Sequence, residues 1–518
     1  MKRPNAQRTL WKVFSSGREA LGLLQEMEEF IEGIALSPEW QKRFAGYWSS
    51  GKPGNRQGPA GHDIVLMIRL VLAQCVLGKD YRELAYLLVD SKALRQFLEI
   101  EYVEEQALPK FTTLNGWMNA LPVSFLEEVN LAISLSRGEK KPEVEKKEAE
   151  KPEVEKEEVE KKEAEKPEEK KELEKPIAVE LKQWRSDASC VESNIHYPTD
   201  SSLLRDGLRW MYRWIERMRE ELGIYARLDS QEMSWAKGHR LYLEIVKLAK
   251  CQKKKERKKS YRRLIQHTER VAGHFKGHVR KGEKAGAFET IENPVQYARF
   301  RMMLEEWGRL KPLIEKAIGQ ARQRVLKGNV IRNEDKLLSL WEEHTQVIVR
   351  GKVGKPAEFG HKVTIWENQA GMLICGGIYA KGNPSESQLL AAELKQLTAK
   401  GLEIKSVSLD RGYWDRTKLE EIEKASGIRV YCPKKGKKNA ERAALEGSEE
   451  FRRQQRFRVG IEGTLSVLVR RHGFRRARLK GWEGFQRHVH MRLIGMNLLR
   501  LLDWKHRPKA EAELAPAA

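Results

Sequence analysis

Cysteine is scarce in this sequence, and its placement excludes two common frameworks. The 518 residues contain five cysteines, and no two of them are close enough to form a CxxC pair. An odd and scattered set disfavours both a disulfide framework and a zinc finger, and it fits a reducing cytosol. We interpret all five as single buried thiols: Cys75, Cys190, Cys251, Cys375 and Cys432.

Long apolar runs are absent as well. No stretch approaches the ~18 uninterrupted apolar residues that a membrane span needs. The first residues, MKRPNAQRTLWKVF, contain no long apolar segment of the kind found in secretion signals. The sequence therefore predicts a protein without a membrane partner that stays in the cytoplasm.

Acidic residues are too few to balance the basic ones. Lys and Arg number 97 against 74 Asp and Glu, which gives a net charge of +23. Such an excess argues against a chain that handles only small cationic ligands. It indicates that the partner is a polyanion or an anionic surface.

One segment contains almost nothing except Lys, Glu and Pro. Residues 139–175 hold 12 Lys and 16 Glu, and such a composition cannot bury enough apolar area to offset its ordering entropy. We interpret residues 138–176 as a disordered or partly helical linker between an N-terminal domain, 1–137, and a second domain, 177–505. A flexible tail at 506–518 would follow. For the Lys/Glu/Pro segment, an interaction tail is the alternative.

The N-terminal domain is predicted to be helical. Short helices are expected over 81–88 and 91–98, and Thr112 and Thr113 are expected to cap a further one. Short helices joined by tight turns suit a helix-turn-helix, and an ordinary helical bundle fits equally well. A longer helix should come first, because apolar residues recur there at helical spacing: Ile64, Met67, Ile68, Val71 and Leu72.

Residues 200–345 also have a helical pattern, and a dense basic run lies within it. The run is KKKERKKSYRR at 253–263, with eight basic residues out of eleven. A solvated helix face is the ordinary explanation for such a run, but the basic chain favours phosphate contact. The candidate DNA-binding residues are Lys253, Lys254, Lys255, Arg257, Lys258 and Lys259.

Beyond residue 345 the pattern changes to short strands that alternate with helices. A hairpin is predicted around 368–371, and Ser385 with Gln388 forms a capping box that opens a helix. A buried strand (402–409), a helix (415–426) and a strand (428–432) follow. This order predicts a mixed sheet with parallel pairs, covered on its faces.

Several acids are candidates for chemistry. Asp410 closes the predicted strand 402–409, at the end where α/β sheets bind ligands, although a turn-forming role is the alternative. Glu462 lies four residues after Arg458 on a predicted helix, and spacing alone favours a simple ion pair between them. Asp200 is interpreted as the N-cap of a helix that begins at Ser201.

A further acid, Asp187, lies in the β-rich stretch RSDASCVESNIH. Together with Asp410 and Glu462 it could supply the oxygen ligands that Mg²⁺ prefers, at one or two ion sites. With 74 acids in the chain, however, many such triads can be drawn by chance.

Three stretches occur in order along the chain: SDASCVESNIHYPTDSSLL, VSLDRGYWD and RVGIEGTLSVLVRRHGFRRARLKGWEGFQRHV, the last followed by GMNLLRLL. As an ordered set they resemble the catalytic core of bacterial insertion-sequence transposases of the DDE class. The stretch from His62 to Leu121 is similar to the helical domain that precedes that core.

This resemblance implies an α/β fold with an RNase H-like mixed sheet and a large helical insertion at about 200–345. An all-α DNA-binding domain would precede it. The resemblance also implies three catalytic acids that bind Mg²⁺ or Mn²⁺, as two ions. These are Asp187 at the end of the first strand, Asp410, and Glu462 on a late helix.

The family also carries a Tyr, Arg, Glu, Lys signature around the third acid. Arg458 matches the Arg, which implies that it binds a DNA phosphate. Gln455 stands at the Tyr position and Val469 at the Lys position. We hypothesise that Arg470 replaces the missing Lys.

The resemblance predicts a transposase that binds the terminal inverted repeats of its element, cleaves at the element ends and joins the 3′-OH to target DNA. It would act on double-stranded DNA as a homodimer or higher oligomer, associated with the prokaryotic nucleoid. A metal-dependent nuclease or resolvase on the same fold is one alternative. A DNA-binding protein whose chemistry has lapsed is the other.

Overall fold

The computed structural model describes residues 64–78, 81–100, 108–136, 182–224, 234–352 and 355–505. The predicted linker and the predicted tail both lie outside these residues. In the described part, helices flank one mixed sheet.

Within the described ranges, five helices precede the sheet. They are α1 (Ile64–Leu77), α2 (Tyr81–Asp90), α3 (Lys92–Phe97), α4 (Phe111–Ala120) and α5 (Val123–Ser136). The helices expected near residues 64, 81 and 91 are thus present. The expected cap of α4 is wrong, because the helix already begins at Phe111 with Lys110 at its N-cap. Thr112 and Thr113 therefore lie inside its first turn.

The sheet has six strands. These are β1 (Gln183–Glu192), β2 (Gln346–Lys352), β3 (Lys355–Asn368), β4 (Leu373–Tyr379), β5 (Ser406–Ser408) and β6 (Arg429–Tyr431). Their order is β2-β3-β1-β5-β6, and β4 pairs with β3. Strand β3 pairs with β1, β2 and β4 in antiparallel fashion. The β1–β5 and β5–β6 pairings are parallel. The predicted mixed sheet and the predicted β3–β4 hairpin are confirmed.

A helical block separates β1 from β2. It consists of α6 (Asp200–Leu222), α7 (Trp235–Lys250), α8 (Lys254–Lys284) and α9 (Pro294–Ala321), which runs on as a π-helical turn to Lys327. The block has its own apolar core, in which Trp210, Trp214 and Trp307 are buried. The described residues of the predicted helical segment at 200–345 are helical as far as residue 327, and a single 3-10 turn at Asn333–Asp335 follows before β2.

The N-terminus of α6 differs from the prediction. Thr199, not Asp200, is the N-cap, and its side chain accepts a hydrogen bond from the Ser202 backbone N–H. Asp200 is the first residue of the helix and is buried. Its carboxylate accepts from Gln320 at 2.9 Å and from Arg324 at 3.0 Å, which fixes the start of α6 to the end of α9.

Five further helices follow in the part of the chain that the structure describes. They are α10 (Glu386–Ala399), α11 (Arg416–Ser426), α12 (Ala440–Gly447), α13 (Glu449–Arg471) and α14 (Gly481–Lys505). The expected capping box opens α10, where Gln388 accepts from the Ser385 backbone N–H at 3.3 Å. The strand expected over 402–409 is shorter than predicted, because only Ser406–Ser408 pairs with β1.

Helix α14 belongs to two apolar cores. Its residues Met491, Ile494 and Leu498 pack with α1 to α5, whereas Val489 and Leu493 pack with β3, β4 and α13. Asn497 on the same helix donates to the Leu373 carbonyl at 2.8 Å and to Asn130 at 2.9 Å. The described N-terminal helices are therefore packed against the same helix as the sheet.

The contact between α1 and α14 is close enough to depend on a glycine. A Cβ added at Gly495 would overlap the backbone carbonyl of Cys75. We expect Gly495→Ala to lower the free energy of unfolding by ~1–3 kcal/mol, because overpacking forces backbone shifts. Gly308→Ala is the matched control, since nothing lies within 4 Å of that Cβ position. Urea unfolding measures both, and equal effects would contradict the expectation.

Two of the five thiols are not buried as predicted. Cys75, Cys375 and Cys432 are buried, but Cys190 is partly exposed and Cys251 is exposed at the end of α7. No disulfide joins any of the five, all of which are free. Among the described helices, none is long and apolar enough to cross a membrane.

Candidate active site

The strand register places the first two acids side by side. Parallel pairing of β1 with β5 ends where Arg185 faces Ser408. Asp187 follows Arg185 by two residues, and Asp410 follows Ser408 by two residues. Both acids therefore lie just past the end of the β1–β5 pairing. Asp187 was predicted to lie at the end of its strand. It lies instead in the middle of β1, opposite Ile365. The reason is that β1 continues along the longer β3 after β5 has stopped.

Asp410 has the turn geometry that its sequence neighbours suggested. Its Oδ1 accepts a hydrogen bond from the Gly412 backbone N–H at 2.8 Å, which closes a short 3-10 turn over Arg411–Tyr413. Its other oxygen, Oδ2, faces Arg458. The turn role and the site role are therefore compatible, because they use different oxygens.

Arg458 is the residue that joins the three acids. Its Nη2 lies 3.3 Å from Asp187 Oδ2 and 3.7 Å from Asp410 Oδ2, and its Nη1 lies 2.8 Å from Glu462 Oε1. The guanidinium is nearly buried, with 13% of the side chain exposed, whereas 59% of the Glu462 side chain is exposed. The i, i+4 ion pair predicted on α13 exists, and it is part of a cluster whose members come from positions between 187 and 462.

A buried ionic network holds β1 against α13 and α14. Glu367 on β3, 1% exposed, accepts from Arg185 Nε at 2.9 Å, from Arg500 Nη1 at 2.8 Å and from Thr464 at 2.9 Å. Arg185 also donates to the Phe457 carbonyl, one residue before Arg458. Because Arg185 is two residues from Asp187, this network sets the distance between the first acid and the arginine.

The sequence patterns revealed neither this network nor one further acid. Glu386, in the first turn of α10, is near enough to Asp187 to influence its charge. Local patterns cannot reveal such partners, because Glu367 and Arg185 are 182 residues apart. The only signal was an ionisable residue in or beside a β-rich segment: Arg185 begins the stretch RSDASCVESNIH, and Glu367 directly precedes the predicted hairpin turn.

The charge balance of the site disfavours ionisation of the first acid. Burial raises the pKa of Asp187 to about 6. Arg458 and the Ala188 backbone N–H lower this pKa, but Asp410 and Glu386 raise it further. An ionised Asp187 is therefore only partly compensated by its surroundings, and a cation beside it would be stabilising.

This pKa predicts a specific dependence of stability on pH. Between about pH 4 and pH 6 the unfolded chain loses the Asp187 proton before the folded chain does, so the free energy of unfolding falls as pH rises. Asp187→Asn should remove this fall and, at pH 8 without divalent cations, should be more stable by ~1–3 kcal/mol. Urea unfolding of both proteins across this range measures the difference. Parallel pH curves would contradict it.

The three acids carry the kind of oxygen donor that hard divalent cations prefer. Carboxylate oxygens from Asp187, Asp410 and Glu462 surround one positively charged group. That group is the Arg458 guanidinium. Within the described ranges, no three His, Cys, Asp or Glu side chains lie close enough together to form a ready-made metal site. The acids are spread around the guanidinium instead.

The signature around Glu462 has three further positions, and each has different contacts: Gln455, Val469 and Arg470. Gln455 donates to the Tyr431 carbonyl at 2.9 Å and so ties α13 to the end of β6. Arg470 is exposed in the last turn of α13, and Val469 packs against the core beside it. Of the candidate DNA-binding residues in the basic run, Lys253 precedes α8. The others, up to Lys259, lie in its first two turns and are exposed except for the partly buried Arg257.

A basic cavity of about 450 Å³ lies between the end of β1, α6 and the chain before β2. Sequence analysis did not predict it. Arg209, Arg213 and Lys480 line it and form no ion pair with any residue of the described ranges. Trp341 contributes an aromatic edge, with 38% of the residue exposed. Cations combined with an exposed aromatic ring are typical of nucleic-acid contacts.

Comparison with known proteins gives one family match. Residues 423–502 match the family model described as a transposase DDE domain. The matched part runs from α11 to α14 and contains Arg458 and Glu462, whereas Asp187 and Asp410 lie before it. No curated protein and no solved structure gave a match to the chain. The comparison therefore finds a transposase DDE domain at residues 423–502, and this agrees with the family that the sequence resembles.

Proposed function

We propose that this enzyme binds the terminal inverted repeats of an insertion sequence, cleaves DNA at the element ends and transfers the 3′-OH into target DNA. The observation that carries the proposal is the convergence of Asp187, Asp410 and Glu462 on the single guanidinium of Arg458. Three acids remote in sequence have no structural need to meet at one partly exposed point.

The sheet supports an RNase H-like core. Strand β1 is antiparallel to β3 on one side and parallel to β5 on the other, and β5 is parallel to β6. The helical block α6–α9 is inserted between β1 and β2. The acids lie where the parallel strands end, which is where α/β sheets bind ligands.

In this proposal the three acids hold Mg²⁺ or Mn²⁺, as two ions. Bound divalent cations would activate the attacking oxygen and neutralise the leaving one. Asp187 and Asp410 supply oxygens from adjacent strands, and Glu462 supplies one from α13. The exposed position of Glu462 leaves room for DNA on that side.

Arg458 is the phosphate-binding residue in this proposal. Its Nε–H is buried and has no hydrogen-bond partner among the described residues. A buried unpaired donor is costly and indicates an acceptor that the free protein does not supply. A phosphate oxygen of the DNA fits this donor, because guanidinium groups bind phosphates strongly.

DNA binding would use several basic surfaces. We assign Arg470, the run from Lys253 to Lys259 and the cavity lined by Arg209 and Arg213 to contacts with the DNA backbone. Residues 1–137 would read the element ends, and residues 177–505 would carry out the chemistry. The active form would be a homodimer or higher oligomer on the nucleoid of a prokaryotic cytoplasm.

A strand-transfer assay tests this proposal. The substrates are intact and pre-cleaved DNA ends, taken from the inverted repeats that flank the coding sequence, with Mg²⁺ or Mn²⁺ and a target plasmid. We expect cleavage of intact ends and joining of pre-cleaved ends. Cleavage without joining would favour a nuclease or resolvase. DNA binding with neither reaction would indicate that the chemistry has lapsed.

A further inference from the structure

We propose that the basic cavity beside the end of β1 binds a single nucleotide whose base carries an amino group. In this site the base stacks on Trp341 and its amino group donates to Glu342. The phosphate lies among the three cations that line the cavity, Arg209, Arg213 and Lys480. The inference deepens the assignment of this cavity to DNA contacts, and in that part it rests on the proposed function.

The cations of the cavity favour an anionic ligand. Arg209 and Arg213 are four residues apart on α6 and so share one face of the helix, and Lys480 directly precedes α14. All three are exposed, and none of them forms an ion pair within the described ranges. Three unpaired cations at one cavity are suited to a phosphate group. The volume of about 450 Å³ lies within the ~300–1,000 Å³ that is usual for ligand pockets.

The aromatic ring of the cavity is held in a fixed orientation. Trp341 Nε1 donates to Glu306 Oε1 at 3.3 Å, and the other oxygen of Glu306 accepts from Trp210 Nε1 at 2.8 Å. Arg309 also donates to the Leu340 carbonyl at 3.1 Å. Helix α9 therefore holds the chain on which Trp341 lies, and the ring offers an exposed surface on which a base can stack.

A buried carboxylate gives the cavity a second kind of contact. Glu342 lines the cavity although only 8% of its side chain is exposed. Its Oε2 accepts from the Gly481 backbone N–H at 3.0 Å and lies 2.8 Å from His344 Nε2. Its Oε1 has no hydrogen-bond partner among the described residues. An acceptor left unpaired at a buried position is costly, so Oε1 indicates a ligand that donates an N–H there.

These contacts together select the ligand. A phosphate ion or a duplex backbone would satisfy the cations but could not donate to Glu342. A nucleotide has a negative end, a flat face for Trp341 and an N–H donor at the far edge of its base. Amino groups on that edge occur in guanine, cytosine and adenine. One unpaired nucleotide of a DNA strand and a free nucleoside monophosphate both present this chemistry.

The test is equilibrium dialysis of dGMP and dTMP against the full chain without divalent cations. We expect dGMP to bind roughly tenfold more tightly, because two carbonyl oxygens flank the only N–H of the thymine ring. Glu342→Gln should abolish this preference, since Gln keeps an oxygen for Gly481 and turns an amide donor towards the base. Its matched control is Glu343→Gln, at the exposed neighbouring residue, which should keep the preference.

Stacking is tested separately from the contact with the carboxylate. Trp341→Ala should weaken the binding of both nucleotides roughly tenfold. Trp235→Ala, at a tryptophan of α7 that does not line the cavity, is the control and should change neither affinity. Should Glu342→Gln fail to fold, the comparison of the two tryptophan variants decides.

A second arm distinguishes the two sources of the nucleotide. It compares a short oligothymidylate that contains one central dG with an oligothymidylate that contains none, by fluorescence anisotropy. A dG preference that depends on Glu342, without binding of dGMP, identifies a nucleotide of a DNA strand as the ligand. Saturable binding of dGMP identifies a free nucleotide as a ligand as well.

The inference is overturned if neither arm shows a base preference that depends on Glu342, or if Trp341→Ala binds as tightly as Trp235→Ala. The proposed function would survive either result, because cleavage and joining of element ends are measured on duplex DNA with metal. Loss of those two reactions in the strand-transfer assay, with nucleotide binding intact, would instead contradict the proposed function alone.

Discussion

Asp187→Asn and Glu462→Gln are each expected to reduce end cleavage and strand transfer at least ~1,000-fold, because each removes a charged oxygen from the site. Such a loss corresponds to ~4 kcal/mol in the barrier. Binding to element-end DNA should stay within about twofold, since neither side chain is basic. Gel-based cleavage and joining assays measure the first effect, and fluorescence anisotropy measures the second.

Glu449→Gln is the matched control for this experiment. Glu449 is an exposed glutamate in the first turn of α13, the helix that also carries Glu462. It should retain full activity. If Glu462→Gln were as active as Glu449→Gln, the cluster around Arg458 would be a structural ion network and the site would have to be sought elsewhere.

The second large effect concerns the ionic network under the site. Glu367→Ala leaves Arg185 and Arg500 without their shared carboxylate, and Arg185 is 6% exposed. Breaking a buried pair by removing one partner costs ~3–5 kcal/mol, because an uncompensated charge remains in the interior. We expect a loss of this size in urea unfolding, together with lower activity, because Arg185 positions Asp187.

A surface ion pair provides the comparison. Lys182 and Glu403 pair at 2.5 Å with 37% and 71% of their side chains exposed. Exposed pairs contribute little to stability, so Glu403→Ala should have a small effect. A Glu367→Ala variant no less stable than Glu403→Ala would show that the network does not hold β1 against α13.

Sequence patterns predicted the elements whose signals are local. The capping box of α10 and the hairpin between β3 and β4 depend on residues a few positions apart, and both are present. The strand predicted over 402–409 is too long. Leu402 and Ile404 are buried, but the chain there does not pair as a strand. Apolar residues indicate burial, but only a partner strand defines the length of a ladder.

The candidate site could be proposed only from resemblance. Spacing favoured an ordinary ion pair between Arg458 and Glu462, and that pair is present. The contacts of Arg458 with Asp187 and Asp410 cross 271 and 48 positions of sequence, which no periodicity encodes. Asp200 shows the same limit, because its partners Gln320 and Arg324 come from the far end of the helical block.

Helix α14 has a consequence for the segment between Ser136 and Lys182. The chain on both sides of that segment is anchored, through α5 on one side and through β1 on the other, to elements that pack on or beside α14. An intact chain across residues 139–175 is therefore not needed to hold helices α1–α5 against the part of the chain that follows Lys182. A chain cut there by a protease should still elute as one particle in gel filtration, and two separately expressed halves should reassemble.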